Sequence, residues 1–233
     1  MTEAIVPIAM PGIHDRFAPF FDRLVGDAER GRIHVLDAGA GHGALAKRLH
    51  ESGFRVSACD FRPERFRYDQ VECRRADLLD RLPYDDAFFD YVIAVEVMEH
   101  LSDHEKFFHE AARVLKRGGR LVVSTPNILS LKSRLRFLLS GFFYSFKPID
   151  PDRDDGLQHV SSLTPDQFRY IGRRSGLALE TITCDKYQAT SAGLLWLVPA
   201  VRVYSRWARI DSRVHNTLDL LLGRILFLVF RKA

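Results

Sequence analysis

The sequence contains few cysteines and no apolar run long enough to cross a bilayer. There are three cysteines in 233 residues, Cys59, Cys73 and Cys184. An odd number without close pairing fits neither a disulfide framework nor a zinc site, so a reducing compartment is favoured. The apolar stretch at 218–230 is interrupted by Arg224 and falls short of the ~20 residues that a membrane-spanning helix needs.

A targeting signal and a block of charge are also missing. Residues 1–11 show no cationic region followed by a sustained apolar one, so no secretory signal is predicted. The chain has 34 Lys and Arg against 30 Asp and Glu, a net charge of +4, without a long basic block. This distribution does not favour nucleic acid as a partner, and nothing in it indicates an oligomeric state. We expect a cytoplasmic protein.

What is present is the alternation of strand and helix patterns in a single domain, 1–233. Apolar runs predict strands near 35–38, 54–60, 71–76, 88–95, 120–124, 177–183 and 225–230. Helical spacing separates most of these runs, and Gly118 and Gly119 are predicted to end the helix before the fifth strand. Short connections between alternating strands and helices imply a doubly wound, mostly parallel α/β sheet with right-handed crossovers.

A glycine-rich turn follows the first strand. Its sequence at 35–43 is Val-Leu-Asp-Ala-Gly-Ala-Gly-His-Gly, and a helical pattern begins at Ala44. A tight turn with positive φ and a close approach of backbone to ligand requires residues without a Cβ atom. Strand, loop and helix N-terminus together predict a cradle for a nucleotide-type cofactor.

Acidic residues stand at the ends of the first four predicted strands. Ligands of such sheets bind outside the carboxyl ends of the strands, which selects Asp37, Asp60, Asp77 and the region of Glu96. Asp60 is placed to accept hydrogen bonds from two ribose hydroxyls. Asp77 supplies an acceptor for an adenine amino group, with Leu78 against one face of the ring and Phe61 against the other.

The glycine spacing alone does not separate two classes of cofactor. Gly39-x-Gly41-x-x-Ala44 also satisfies the relaxed dinucleotide pattern, and a carboxylate at Asp60 serves NAD equally well. Asp37 does separate them, because its carboxylate would repel a pyrophosphate and attract a cofactor that carries an ammonium and a sulfonium. S-adenosylmethionine is such a cofactor.

The run 35–127 resembles the Rossmann-like class I S-adenosylmethionine-dependent methyltransferases. The resemblance rests on the glycine motif, on Asp60 and Asp77, on Phe-Asp-Tyr-Val-Ile-Ala-Val-Glu at 89–96 and on Leu-Lys-Arg-Gly-Gly-Arg-Leu at 115–121. It implies a seven-stranded sheet whose last strand is antiparallel. The cofactor-binding residues are then expected to be Asp37, Gly39, Ala40, Gly41, Asp60, Phe61, Asp77, Leu78, Val95 and Glu96.

Within that class, the stretch Glu-Val-Met-Glu-His-Leu at 96–101 is similar to the ubiquinone-biosynthesis O-methyltransferases and to many methyltransferases of small molecules and glycans. The resemblance implies that Glu96, Glu99 and His100 are ligands of a divalent metal, and oxygen ligands suit magnesium. The alternative is that Glu96 contacts the cofactor or caps the following helix.

Two histidines are candidate catalytic bases. Methyl transfer is an in-line displacement at the sulfonium, so alignment and removal of the acceptor's proton carry most of the chemistry. His100 has an unperturbed pKa near ~6.5 and suits deprotonation of a hydroxyl. His159 is the second candidate base and would act from the side of the acceptor. A purely structural role for His159 is an equal alternative.

Two inserts interrupt the alternating pattern, at 128–160 after the fifth strand and at 187–222 after the sixth. The first carries an apolar stripe with interleaved lysines and arginines, which predicts one or two amphipathic basic helices. This insert is either a lid on the domain or a surface that contacts lipid. We expect an O-methyltransferase of a small, saccharide- or lipid-linked acceptor, peripheral to the inner face of the membrane. An NAD-dependent oxidoreductase and a non-catalytic S-adenosylmethionine-binding protein are the alternatives.

Overall fold

The computed structural model describes residues 5–153 and 155–233, without the side chains of residues 212 and 213. Residues 1–4 of the predicted domain and Asp154 of the predicted first insert therefore lie outside the described residues. The seven strands are β1 (His34–Ala38), β2 (Arg55–Asp60), β3 (Cys73–Arg75), β4 (Phe89–Ala94), β5 (Leu115–Pro126), β6 (Leu177–Cys184) and β7 (Ile225–Lys232).

These strands form one sheet in the order β3-β2-β1-β4-β5-β7-β6. All neighbouring pairs are parallel except those of β7, which runs antiparallel to both β5 and β6. The predicted doubly wound seven-stranded sheet with an antiparallel last strand is confirmed. The chain reverses its direction across the sheet between β1 and β4, which places the carboxyl ends of these strands beside a crevice.

Helices cover both faces of the sheet. They are α1 (Ile13–Val25), α2 (Ala44–Glu51), α3 (His104–Val114), α4 (Leu131–Ser140), α5 (Pro165–Arg174), α6 (Ala189–Ala192), α7 (Val198–Trp207), α8 (Ser212–His215) and α9 (Leu218–Leu222). The predicted amphipathic first helix is confirmed in α1, whose buried Phe17 packs edge-on against Phe227 of β7, with 5.6 Å between ring centroids. On the other face, Phe108 of α3 packs against Phe230 of the same strand at 5.1 Å.

Strand β5 is longer than its sequence pattern predicts. Helix α3 ends at Val114, and Leu115 already pairs with Phe89 of β4, ahead of a register shift that leads to the pair Tyr91 and Arg120. The prediction that the helix continues to Gly118 and Gly119 was wrong. The pairing of β5 with β4 accommodates the extra residues at this register shift, and the periodicity of the sequence does not predict such a shift.

The two inserts lie side by side. In the described part of the first insert there is one α-helix, α4, within the one or two that were predicted. Ser130 caps it through a hydrogen bond from Ser133 N, and the helix is followed by Gly141. The second contains the four helices from α6 to α9. Leu131 of α4 packs with Val198 of α7 and with Leu221 and Leu222 of α9 in a small apolar cluster. Among the described residues, no helix has the length and apolar character needed to cross a membrane.

Candidate active site

A cavity of about 860 Å³ opens at the carboxyl ends of the parallel strands. All ten predicted cofactor residues line it: Asp37, Gly39, Ala40, Gly41, Asp60, Phe61, Asp77, Leu78, Val95 and Glu96. Val97 also lines it. The predicted cofactor residues therefore lie together around one cavity, as expected for residues at the carboxyl ends of parallel strands.

The glycine loop is held by backbone hydrogen bonds to β2 and packs closely against Val97 and Phe66. Gly39 and Ala40 donate their backbone N–H groups to the carbonyl of Cys59 across 2.8 and 3.1 Å. Gly39 has φ +78°, and a Cβ atom there would lie 2.7 Å from Val97 Cγ2. Gly43 has φ +85°, and a Cβ atom there would lie 2.7 Å from the Phe66 ring. Both conformation and space therefore demand glycine at these positions.

Asp60 closes the loop on the side of β2. Its Oδ2 accepts a hydrogen bond from Gly41 N at 2.8 Å, and its Oδ1 accepts one from Arg62 N at 2.8 Å. A carboxylate oxygen accepts two hydrogen bonds, so each oxygen retains capacity for a ligand hydroxyl. The backbone contacts set the orientation of the carboxylate at the cavity wall.

The expected adenine contacts lie on the same wall. Asp77 Oδ1 accepts a hydrogen bond from Leu79 N at 2.9 Å, so its other oxygen remains for a ligand. Leu78 is buried, whereas the Phe61 side chain is 60% exposed although it borders the cavity. An exposed aromatic ring at a cavity rim is suited to cover a flat heterocycle.

Asp37 is a buried carboxyl with an unpartnered oxygen. It is 3% exposed, and its Oδ2 has no hydrogen-bond partner. Burial raises its pKa to about 7; a hydrogen bond from Ala46 N opposes the shift, and the charge of Asp60 adds to it. A cation bound beside this oxygen would supply the missing partner and stabilise the ionised form.

Glu96 occupies a strained backbone position where β4 leaves the sheet. Its φ is +57°, in the left-handed region that few non-glycine residues adopt, and its N–H donates to Ser124 Oγ at 2.8 Å. Burial raises its pKa to about 7, and nearby Arg224 opposes this shift. Arg224 is itself ion-paired with the fully buried side chain of Asp185. Asp185 and Arg224 were not predicted as part of the site, because they flank the second insert, one before it and one after it, and only the fold brings them together.

Glu99, His100 and His159 form a cluster at the floor of the cavity. One ligand atom from each lies within 4.8 Å of the others, and the two imidazole centroids are 4.9 Å apart. Both carboxylate oxygens of Glu99 and Nδ1 of His159 are buried without a hydrogen-bond partner. This cluster contains His159 and does not include Glu96, which the resemblance implied as a metal ligand.

The loop that carries His159 is tied to the strand-end segment by backbone hydrogen bonds. Val160 N donates to the carbonyl of Glu99 at 2.8 Å, and His100 Nδ1 lies 2.9 Å from the carbonyl of Gln158. A carbonyl only accepts, so Nδ1 carries the proton and Nε2 of His100 holds a free lone pair. Burial lowers the pKa of His100, which favours this neutral form.

The N-terminal segment before α1 also borders the cavity, which the sequence analysis missed. Ile8 lies over the glycine loop, where a Cβ atom on Gly41 would approach its Cδ1 to 3.1 Å. His42 Nδ1 lies 3.0 Å from the Val6 carbonyl and helps to hold the segment. A short segment without periodicity gives no pattern from which this position could be predicted.

Comparison with known proteins supports the same class. Residues 36–123 match the family described as a methyltransferase domain. A probable S-adenosylmethionine-dependent methyltransferase of Mycobacterium tuberculosis is 42% identical over 98 residues, 40% of this chain and 35% of the relative. A ubiquinone biosynthesis O-methyltransferase of Xylella fastidiosa is 30% identical over 165 residues, 66% of this chain and 64% of the relative. The chain thus spans between about a third and two thirds of these relatives.

Solved structures show the same fold along nearly the whole chain. A SAM-dependent methyltransferase of Archaeoglobus fulgidus superposes with a TM-score of 0.62 at 17% identity, covering 94% of this chain and 93% of that one. A phosphoethanolamine N-methyltransferase of Haemonchus contortus, in complex with S-adenosyl-L-methionine, gives 0.58 at 16% identity, covering 97% and 54%.

The fold is therefore the Rossmann-like methyltransferase fold. Residues 36–123 match the family described as a methyltransferase domain, and the predicted resemblance to the class I S-adenosylmethionine-dependent methyltransferases is confirmed.

Proposed function

We propose that the chain transfers a methyl group from S-adenosylmethionine to the hydroxyl of a small, saccharide- or lipid-linked acceptor. The observation that carries this proposal is the continuity of one cavity from the glycine loop to the cluster of Glu99, His100 and His159. A cofactor in the loop and an acceptor at the cluster would share that cavity, which is the arrangement that an in-line displacement requires.

The cofactor is held by charge and by hydrogen bonds. The unpartnered oxygen of Asp37 takes the ammonium of the methionine part, Asp60 takes the ribose hydroxyls, and Asp77 takes the adenine amino group. A dinucleotide would instead place a pyrophosphate beside the buried carboxyl of Asp37, a repulsive contact in a site with little water. This argues against the NAD-dependent oxidoreductase.

The acceptor's proton goes to His100. In the neutral form fixed by the Gln158 carbonyl, Nε2 of this imidazole has the lone pair that a general base needs. His159 packs edge-on against His100, and it restricts the orientation of the base from the acceptor side. A non-catalytic binding protein would not need a lone pair beside the methyl-accepting position.

The same cluster also fits a divalent metal ion, and this use is an alternative to the base, because a lone pair of His100 that binds a metal cannot take a proton. Glu99, His100 and His159 would hold it, since their donor atoms converge. Three of these atoms, both carboxylate oxygens of Glu99 and Nδ1 of His159, have no hydrogen-bond partner in the protein. Two imidazoles and one carboxylate suit zinc, iron or manganese better than the magnesium expected for Glu96, Glu99 and His100, a set with two carboxylates. When bound, such an ion lowers the pKa of an acceptor hydroxyl.

The acceptor's chemistry is inferred from the surface and from one relative. Phe137, Leu138 and Leu139 of α4 are 47%, 79% and 77% exposed, and residues 128–149 contain four basic residues and no acidic one. An apolar, basic surface suits peripheral contact with an anionic membrane, where lipid-linked acceptors are found. The relative named as a ubiquinone biosynthesis O-methyltransferase supports an O-linked acceptor of this type.

An acceptor screen with labelled cofactor tests this proposal. Transfer of the methyl label to a phenol or to a lipid-linked sugar by the wild type is expected, with His100→Gln losing turnover but keeping cofactor affinity. The exposed His109→Gln is the matched control and should keep both. Normal turnover of His100→Gln would contradict the assigned base, and activity that disappears with a chelator and returns with zinc would assign the cluster to a metal.

A further inference from the structure

A second cavity, of about 930 Å³, lies between α5, β6 and the helices of the second insert. None of its lining residues borders the cofactor cavity. Its size is within the range of ~300–1,000 Å³ typical of small-molecule sites. It is therefore a separate space that methyl transfer does not explain.

One side of the cavity is apolar. Leu179 and Ile182 of β6 line it together with Val201 of α7, Val214 of α8 and Leu220 of α9. These residues come from four different elements of the chain, and they leave space between them. Such a wall suits a hydrocarbon chain.

The opposite side presents Arg134 of α4, whose guanidinium is held by neutral groups. Nε donates to the Leu129 carbonyl and Nη2 to Asn216 Oδ1, each at 2.7 Å. Asn216 is anchored in turn, since its Nδ2 donates to Ser205 Oγ at 3.0 Å, and that hydroxyl donates to the Val201 carbonyl at 2.7 Å. Asn216 and Ser205 are both buried. The guanidinium is thus fixed in position before any ligand arrives.

Arg134 has no carboxylate partner among the described residues. Of the two acidic residues in the wall, Asp166 is ion-paired with Arg169 and with His215, at 2.8 and 2.7 Å, and Asp211 has an interaction partner of its own. Burial lowers the pKa of Arg134 without any opposing contribution from a negative charge. Three of its five N–H groups remain for a ligand, and a partly buried guanidinium without a counter-ion is costly unless an anion binds it.

We infer that this second cavity binds one amphiphile with an anionic head, a phosphate or a carboxylate, and an acyl chain. Arg134 holds the head through paired hydrogen bonds, and the wall of Leu179, Ile182 and Val214 covers the chain. Tyr204 of α7 lines the cavity and is 61% exposed, and the ring of Trp207, 78% exposed, lies 5.7 Å from it between centroids. Exposed aromatic side chains of this kind are enriched where proteins meet lipid, which suits a lipid ligand. The inference does not depend on methyl transfer.

Calorimetric titration with dihexanoyl phosphatidic acid, below its micelle concentration, tests the inference. Wild type is expected to bind it saturably, and to bind inorganic phosphate and dihexanoyl phosphatidylcholine at least about tenfold more weakly, since each lacks either the chain or the net charge. Arg134→Met should lose about tenfold or more in affinity, and Arg134→Lys less.

Ala200→Trp fills the cavity from an exposed position without touching Arg134, and it should also abolish binding. If Arg134→Met does not fold, the Ala200→Trp variant tests whether the ligand occupies this cavity. Arg202→Met removes a positive charge from α7 at a position that does not line the cavity. This variant should bind like wild type. Equal affinity for phosphatidic acid and inorganic phosphate, no binding by wild type, or unchanged binding by Ala200→Trp would each overturn the inference.

Discussion

The backbone N–H of Gly41 donates to Oδ2 of Asp60 across 2.8 Å, joining the glycine loop after β1 to the end of β2. One carboxylate thus orients the loop that cradles the cofactor and presents its remaining lone pairs to the same cavity. Cofactor binding and loop geometry are coupled through this residue.

Asp60→Ala should therefore weaken binding of S-adenosylmethionine by about tenfold or more, through loss of charged hydrogen bonds worth roughly 1.5–3 kcal/mol. Isothermal calorimetry measures the dissociation constant. Asp69→Ala removes an exposed carboxylate outside the cavity and is the matched control. Unchanged affinity in Asp60→Ala would contradict the ribose contact.

Asp37 should make cofactor binding depend on pH. Its pKa of about 7 means that the carboxyl is neutral below that pH and charged above it, and only the charged form attracts an ammonium. Affinity is expected to fall as pH drops from 7 to 5.5, by up to about tenfold per unit. The amino group of the cofactor keeps its charge in this window, because an α-amino pKa lies near ~7.7.

The control for this dependence is Asp37→Asn, which keeps an oxygen to accept from Ala46 N but cannot ionise. It should bind more weakly at pH 7 and show a flatter profile, in which only the titration of Glu96, also near pH 7, remains. A wild-type profile as flat as that of the variant would remove Asp37 as the partner of the ammonium.

The cluster of Glu99, His100 and His159 should bind a divalent cation in the absence of any substrate. Titration with cobalt, followed by its visible absorption, is expected to saturate in wild type and to require about tenfold more metal in Glu99→Gln. Glu99 is buried with a pKa raised well above its usual value, chiefly by burial, so the neutral Gln should not disturb folding. Glu72→Gln, an exposed carboxylate change, is the control, and identical titrations of all three proteins would dismiss the site.

Vesicle association should depend on the exposed apolar end of α4. Leu138→Ser combined with Leu139→Ser is expected to reduce co-sedimentation with phosphatidylglycerol vesicles several-fold, since each buried CH₂ contributes about 0.8 kcal/mol. The substitutions spare Leu131 and Phe146, which are buried. Tyr170→Ser, an exposed position on α5, is the control. Equal sedimentation of all forms would leave α4 as a lid.

Sequence predicted the half of the site that belongs to regular elements. Asp37, Asp60 and Glu96 end strands whose apolar runs are visible in the chain, and parallel strands bring their carboxyl ends to one edge. The glycine positions could also be predicted, because a backbone with positive φ that is packed this closely has no room for a Cβ atom. The doubly wound arrangement follows from the alternation of elements and the handedness of their crossovers, whereas the order of the strands comes from the structure.

The other half depends on loops. His159 was named from the sequence, but its approach to Glu99 depends on backbone hydrogen bonds from the loop at 160 and 161 to a residue about sixty positions earlier. The same holds for the ion pair of Asp185 with Arg224, and for Ile8 over the glycine loop. No periodicity encodes such contacts, because loop conformation follows from tertiary packing. The place of His159 beside Glu99 could therefore not be predicted from the strand and helix patterns.

The central claim is that the cavity at the strand ends binds S-adenosylmethionine. Calorimetric titration of the purified protein with S-adenosylmethionine, and in parallel with NADH, tests it most directly. Saturable micromolar binding of S-adenosylmethionine alone is the predicted result. Binding of NADH with no response to S-adenosylmethionine would contradict the role given to Asp37 and, with it, the proposed methyl transfer.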